Sequence, residues 1–475
     1  MTDAVASIRL WPLAIAHFFG VTALFAHVAL TSVLTKSWID SSDGQIAGGL
    51  ATLPLSMLIL FSALAIAPAG RLMQRFGYRI IFVAGTLLGA ISGGLCVLAV
   101  VCHDNNSVSP SNSLLFFSLA IVPQGCAYGV VHFYRHAAAI VGRLTAPPGS
   151  STQQQTARAV AVVITSGALA GVAGPGIADL TESMIARYPF AGTYAILILV
   201  SLLHTVVLFF TNVDAAFAAI AALPPPPSAV VVVPPAPPNE PLNAVSASAE
   251  EKVALLPQQV LSPSLALPSP LSKKADPPRA LWTIVTQKDY LVAMLTATGA
   301  HGLMLVLMSI TPLLLHHRVN FSYSSLVIQV HVLCMYLPSF GTSKIIARFG
   351  ANRVAMFGLV VSCAGAALMY VPQTTAVWGY YGAVMASLAL VGLGWNFTYV
   401  SATTSVAGCY AAEERFKAQS FNDVTVFTIG ACLTLGSGSL LANLGISHVA
   451  LGCIILYVVV FALNVVVYLQ RHRCS

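Results

Sequence analysis

Apolar residues run through this chain in long blocks separated by short polar breaks. A block of about 20 residues is what a helix needs to cross the hydrocarbon of a bilayer. Such windows fall near 12–34, 46–69, 80–102, 112–133, 157–180 and 189–211, and again near 289–314, 324–343, 353–371, 376–400, 420–442 and 446–469. The stretch between the two sets has another character, with Pro224-Pro225-Pro226-Pro227, Pro234-Pro235, Pro237-Pro238 and many serines. It carries no helical pattern and reads as extended or disordered chain. The expected organisation is therefore a six-helix half over 1–212, a disordered cytoplasmic linker rich in Pro, Ser and Ala over 213–286, and a second six-helix half over 287–475.

Composition sharpens this into an all-α membrane protein. Of the 475 residues 57% are hydrophobic and only 8% are charged, where a soluble domain carries about 25%. That excludes a soluble enzyme, a secreted disulfide scaffold and a nucleic-acid-binding domain. The net charge of +7 comes from short scattered clusters and is no nucleic-acid signal. Nine cysteines form no close-spaced pair of the zinc or redox type, and six of them (Cys96, Cys126, Cys334, Cys363, Cys432 and Cys453) sit inside apolar blocks as small packing residues. Met1 to Leu10 lacks a basic region and no cleavage site follows, so the first block reads as a retained span. Neither a metal nor a cofactor is expected.

Basic residues give the orientation. With both termini cytoplasmic, only Lys36, Arg187 and Arg318 of the 22 Lys and Arg fall on the outer side, as the positive-inside rule requires. Which membrane holds the chain, plasma or organelle, is left open.

The halves repeat. Arg75-Phe76-Gly77 after the second span recurs as Arg348-Phe349-Gly350 after the eighth, and at the same offset Gly85 falls on Gly358. Duplicated parallel halves are a transporter arrangement, with the solute site near the midplane between them. Gly70-Arg71-Leu72-Met73-Gln74-Arg75-Phe76-Gly77-Tyr78-Arg79 resembles motif A of the major facilitator superfamily, and Gly171-Val172-Ala173-Gly174-Pro175-Gly176 resembles a degenerate form of its antiporter motif. Phe133-Tyr134-Arg135-His136, Ile328-Gln329-Val330-His331 and Gly392-Leu393-Gly394-Trp395-Asn396-Phe397 are similar to an uncharacterised, mostly bacterial-type subgroup of its transporters. The resemblance implies twelve helices, alternating access and a cavity lined by spans 1, 4, 7 and 10. It names no solute.

Motif A departs from the family pattern at one place: Gln74 stands where an acidic residue is usual, and its counterpart is Ala347. The expected gating set is Gly70, Arg71, Gln74, Arg75, Gly77, Arg79, Arg348 and Gly350, with Asp423 pairing with Arg71 or Arg75. The alternative for Asp423 is a carboxylate placed favourably at its own helix N-terminus.

Polar groups inside a membrane are costly and so mark candidate sites. Gln124, Tyr128, His132 and Arg135 lie within about 80° on one helix face. Arg135 would either meet an anionic group of the solute at the mouth or anchor its helix at the lipid headgroups. The expected solute contacts are Gln124, Tyr128, His301, Gln329, Trp395 and Asn396, set against interhelical hydrogen bonding for Gln329 and Asn396. Amides, hydroxyls and rings suit an uncharged or zwitterionic solute, with or without a ring. Spans 1, 4, 7, 8 and 10 have no mid-span carboxylate, so His17, His27 and His301 are the candidate proton carriers; otherwise the protein is a facilitator. Gly85, Gly89 and Gly93, then Gly167, Gly171, Gly174 and Pro175, are expected packing and hinge positions.

The leading expectation is a secondary active or facilitative transporter of a small organic solute, working as a monomer in the bilayer. A transporter-like sensor and a proton-coupled efflux antiporter are the alternatives. No paired carboxylates or metal-ligand spacing supports an enzyme.

Overall fold

The structure is a computed structural model that describes residues 9–42, 44, 47–145, 152–211, 213–215, 279–316, 318–371, 374–411 and 414–473. Among these, twelve helices are long and apolar enough to cross a membrane: α1 (Trp11–Asp40), α2 (Gly48–Phe76), α3 (Tyr78–Asp104), α4 (Pro110–Leu144), α5 (Arg158–Thr181), α6 (Ala191–Phe209), α7 (Lys288–Leu315), α8 (Phe321–Phe349), α9 (Ala351–Tyr370), α10 (Val377–Ala407), α11 (Lys417–Leu444) and α12 (Ile446–Gln470). Helix is the form such sequences must take, since lipid offers no partner for an open backbone group. No strand occurs among the described residues. The expected linker lies outside the described residues except at its ends, 213–215 and 279–286.

Large apolar side chains such as Leu64, Leu115, Leu199, Val360 and Ile455 are exposed on the bundle's outer surface. Lipid is the solvent that covers a surface of this kind.

Both copies of the repeated tripeptide close a helix in the same way. Gly77 (φ 91°, ψ 159°) and Gly350 (φ 85°, ψ 145°) end α2 and α8 and let α3 and α9 start at once. That backbone region is open essentially to glycine alone. Each preceding arginine lies over its neighbouring phenylalanine, Arg75 at 5.2 Å from the Phe76 ring and Arg348 at 5.3 Å from Phe349. Arg79 packs over Phe209 at the end of α6, and Arg353 over Tyr468 at the end of α12.

Elsewhere glycine permits close approach. A Cβ on Gly93 would lie 3.2 Å from the Tyr194 carbonyl of α6, and one on Gly174 2.5 Å from that of Thr22 on α1. On the same faces Gly85 meets Val130, Gly89 meets Ser201 and Gln124, Gly167 meets His17, and Gly171 meets Val332 of α8.

The halves join firmly at the end of the bundle away from the 2–3 and 8–9 loops. There Gly49 and Gly438 bring α2 against α11. Ser322 Oγ donates to Asp179 at 2.6 Å, and Ser325 Oγ to the Pro175 carbonyl at 2.8 Å, tying α8 to α5. Two cavities lie between the halves on the side of the basic loops.

Two helices break where they flank this space. In α4, Pro123 removes the N–H that would bond Leu119, and the helix is interrupted at Ile121; Ser92 Oγ supplies a donor to the Ala120 carbonyl at 2.6 Å. A second break at His132–Phe133 precedes a last segment, Tyr134–Leu144. In α8 the break falls at Leu337–Pro338. Asn396 Nδ2 donates to the Met335 carbonyl at 2.6 Å and to Ser339 Oγ at 2.5 Å, satisfying groups that the proline break exposes.

Candidate functional site

A cavity of about 230 Å3 lies between the halves, lined from eight helices: α1, α2, α4, α5, α7, α8, α10 and α11. Its second-half wall is aromatic. Trp395 and Tyr399, one turn apart on α10, stack with ring centres 4.8 Å apart and planes within 12°. His301 of α7 sits 5.6 Å from the Tyr399 ring and 4.8 Å from the Phe427 ring of α11. Across the cavity Tyr128 and His132 of α4 add two more rings, and His132 reaches Phe427 at 5.0 Å. Met304, Leu305 and Met308 complete the wall on α7, and thioether side chains adapt readily to an irregular solute.

Hydrogen bonds set the direction of the polar groups. Trp395 Nε1 donates to His301 Nδ1 at 3.3 Å, so a neutral His301 carries its proton on Nε2, which is buried and has no protein partner. His17 of α1 also lines the cavity. The Ser166 hydroxyl gives its proton to the Val163 carbonyl at 2.6 Å, so His17 Nδ1 is the donor in the 2.9 Å contact with Ser166 Oγ.

At the end nearer the basic loops stands an ion pair between the halves: Arg135 Nη2 donates to Asp423 Oδ2 at 3.1 Å. Asp423 Oδ1 accepts from Gln419 at 2.8 Å and from Asn422 at 3.1 Å. Beyond the pair lies a second cavity of about 150 Å3, bounded by Gly70, Gln74, Tyr78, His136, Gln419 and Ser420 among others. His132, Arg135 and Asp423 line both spaces.

Tyr128, Arg135, His17, His301 and Trp395 therefore come together on one cavity, while four other expected residues lie elsewhere. Gln124 is turned about 40° from Tyr128, into a small space inside the first half that opens because Gly89 has no side chain. Asn396 is fully buried behind the wall, holding the α8 break. Gln329, about 10 Å up the helix from Tyr336, donates to Ser325 Oγ at 3.2 Å near the α5–α8 contact. His27 is buried in the first half with its ring 5.5 Å from that of Tyr194, because Val21, Leu24, Phe25 and Val28 take the cavity side of α1.

The expected partners of Asp423 also change. Arg71 and Arg75 are exposed at the foot of α2, and Asp423 pairs with Arg135 instead. The helix outruns the apolar window that ended near residue 133, so Arg135 lies inside α4 and faces the other half instead of the headgroups. Gly70 and Gln74 border the second cavity. Phe427, Met304 and Met308 were missed, although each lies at helical spacing from a polar residue of interest: Phe427 one turn after Asp423, Met304 and Met308 three and seven after His301.

Residues 10–337 match the Major Facilitator Superfamily. The chain belongs to that superfamily. It is 28% identical over 448 residues to the Riboflavin transporter RfnT of Brucella anthropi, covering 94% of this chain and 92% of that one. It is 25% identical over 451 residues to the Uncharacterized MFS-type transporter YdeG of Bacillus subtilis, covering 94% and 88%. The fold is similar to the crystal structure of the human organic anion transporter MFSD10 (TETRAN), with a TM-score of 0.58 at 14% identity over 97% of this chain and 99% of that one. Membership of the superfamily and twelve apolar helices make the protein an integral, multi-pass membrane transporter of a small solute, and not an enzyme. Neither the sensor nor the efflux antiporter is favoured.

Proposed function

We propose that the chain carries a flat, ring-bearing solute of the flavin type through the cavity between its halves by alternating access. The observation that carries this reading is the stacked Trp395–Tyr399 pair facing into a cavity that Phe427, His301 and Tyr128 also line. Aromatic faces of this kind bind another ring by offset stacking while burying large apolar area. The likeness to a riboflavin transporter over nearly the whole of both chains points the same way.

In this reading Tyr128, His301 and Trp395 contact the ring, with the Nε2 proton of His301 offered to an acceptor on it. Arg135 and Asp423 form the inner gate, and the motif loops at Gly70–Arg79 and at Arg348 and Gly350 are the pivots. His17 and His301, being on the cavity, are the proton carriers if transport is coupled. Residues 1–212 and 287–475 are the moving halves and 213–286 the tether. Both halves of the cavity come from one chain, which suits a monomer. The distribution of Lys and Arg supports cytoplasmic termini; in that orientation the firmly joined end is outer and the two cavities lie toward the inside.

The test is uptake of radiolabelled riboflavin into proteoliposomes holding the purified chain. Uptake above protein-free vesicles, competed by unlabelled riboflavin and lowered by Trp395→Ala at equal reconstitution, is the expected result. Vesicles that take up no more than the protein-free control would remove the flavin class.

A further inference from the structure

Arg135 and Asp423 are the only Asp, Glu, Lys or Arg side chains on the described lining of either cavity, and they stand where the two cavities meet. The remaining polar groups there are amides, hydroxyls, imidazoles and the Trp395 indole, among them Gln74, His132, Gln419 and Ser420. A lone arginine at such a place would be an anion site, because a guanidinium grips carboxylate or phosphate with paired donors. Asp423 takes up one of those donors with its Oδ2, 3.1 Å from Arg135 Nη2, and sets its negative charge against the guanidinium. Its Oδ1 is fixed by Gln419 and Asn422, so moving the carboxylate aside would leave those amide donors unpaired.

We infer that Asp423 acts as a charge filter: by cancelling Arg135 it admits a ring solute with an uncharged, hydroxylated arm and turns away the same solute bearing a phosphate ester. This rests on the flavin-type reading above and adds the specificity of the junction. A hydroxyl can accept and donate at once. Arg135 Nε is buried without a partner and needs an acceptor, while the Asp423 carboxylate has spare acceptor sites for a donor. Neighbouring hydroxyls on a flexible arm satisfy both. A phosphate monoester has little to donate, and it must either displace Asp423 or lie beside its charge where the dielectric is low.

The experiment measures binding to the purified full-length protein by quenching of flavin fluorescence, with riboflavin and riboflavin 5′-phosphate as the two probes. Three forms are compared: wild type, Asp423→Asn, and Arg135→Gln with Asp423→Asn. The wild type should bind riboflavin at least about tenfold more tightly than its phosphate. Asp423→Asn, nearly the same in shape, leaves Arg135 uncancelled and should shrink that ratio by about tenfold or invert it. The double variant is neutral again and should return to preferring riboflavin. Equal binding of both probes by the wild type would overturn the filter, a result that does not depend on how any variant folds. So would riboflavin binding by Asp423→Asn with the wild-type ratio retained, and either result leaves the flavin reading standing. A wild type that binds neither probe removes the flavin reading and the filter with it.

Discussion

Arg135 of α4 and Asp423 of α11 meet at 3.1 Å across the two halves, between one cavity and the next. Both side chains are largely shielded, at 24% and 10% exposure, so the pair lies between the exposed and buried extremes. Removing one partner should cost on the order of 1–3 kcal/mol of whichever state contains the pair. Riboflavin transport should therefore fall in Arg135→Asp and in Asp423→Arg, and recover in part when the two are exchanged together. Transport rates in proteoliposomes at matched protein content decide it. An exchange variant as inactive as the worse single variant would mean that the pair is not the gate.

Trp395 and Tyr399 act on a ring solute through their faces. Trp395→Ala removes the stacked face, the largest ring of the wall and the donor to His301 Nδ1. A loss of about 1.5–3 kcal/mol in binding is expected, which is roughly ten- to a hundredfold in Kd. Trp395→Phe keeps a face but loses the donor and should retain most of the affinity. Titration with riboflavin measures both, and equal weakening by Phe and Ala would place the contribution of Trp395 in its N–H instead of its ring.

What could be read from the chain follows from the range of the forces involved. Spans are legible because lipid demands about 20 apolar residues in a row, and the repeat because Gly77 and Gly350 occupy a backbone region that other residues avoid. Helical spacing also put Tyr128, His132 and Arg135 on one face, and all three line the central cavity. The environment of Asn396 is a different matter. Its amide bonds to Met335 and Ser339 across a helix break in α8, and no periodicity within α10 shows that a neighbouring helix has a carbonyl to satisfy. Asp423 is similar: its partner is 288 residues away, and choosing Arg135 over Arg71 or Arg75 needs the placement of α4 opposite α11 across the cavity. Gln124 lies instead beside Gly89, in a small space inside the first half, and the room left by a glycine on α3 cannot be read from the spacing within α4.

The two motif glycines should respond unequally to alanine. Each has a positive φ, so Gly77→Ala and Gly350→Ala both carry backbone strain of about 1–3 kcal/mol. At Gly350 a Cβ would enter open space, whereas at Gly77 it would press on Asp214 at 3.2 Å. Asp214 Oδ1 accepts from Tyr78 N at 2.7 Å and caps α3, so Gly77→Ala disturbs the cap as well as the turn. Thermal unfolding in detergent should rank wild type above Gly350→Ala and Gly350→Ala above Gly77→Ala. A Gly350→Ala as stable as wild type would argue against strain at these turns.

Glu414 and Arg279 supply a pH dependence outside the membrane. The Arg279 side chain makes a two-pronged contact, Nε to Oε1 at 2.9 Å and Nη2 to Oε2 at 2.6 Å, and its backbone N–H adds a third bond at 2.7 Å. The Ala411 N–H donates to Oε2 at 2.9 Å. These donors, the Arg279 side chain first, hold the Glu414 carboxyl down at about 2 against an ordinary 4.5. A carboxyl whose folded value is depressed stabilises the fold fully above its unfolded value and loses that contribution as pH falls toward the folded one. The contribution is thus complete above about pH 4.5 and fades between there and about pH 2. Glu414→Gln should lower the unfolding temperature by the same amount at pH 7 and pH 6, and the gap from wild type should narrow as pH falls from 4.5 toward 2. A gap that stays constant down to pH 3 would mean that the charge on Glu414 does not anchor this end of the linker to the 10–11 loop.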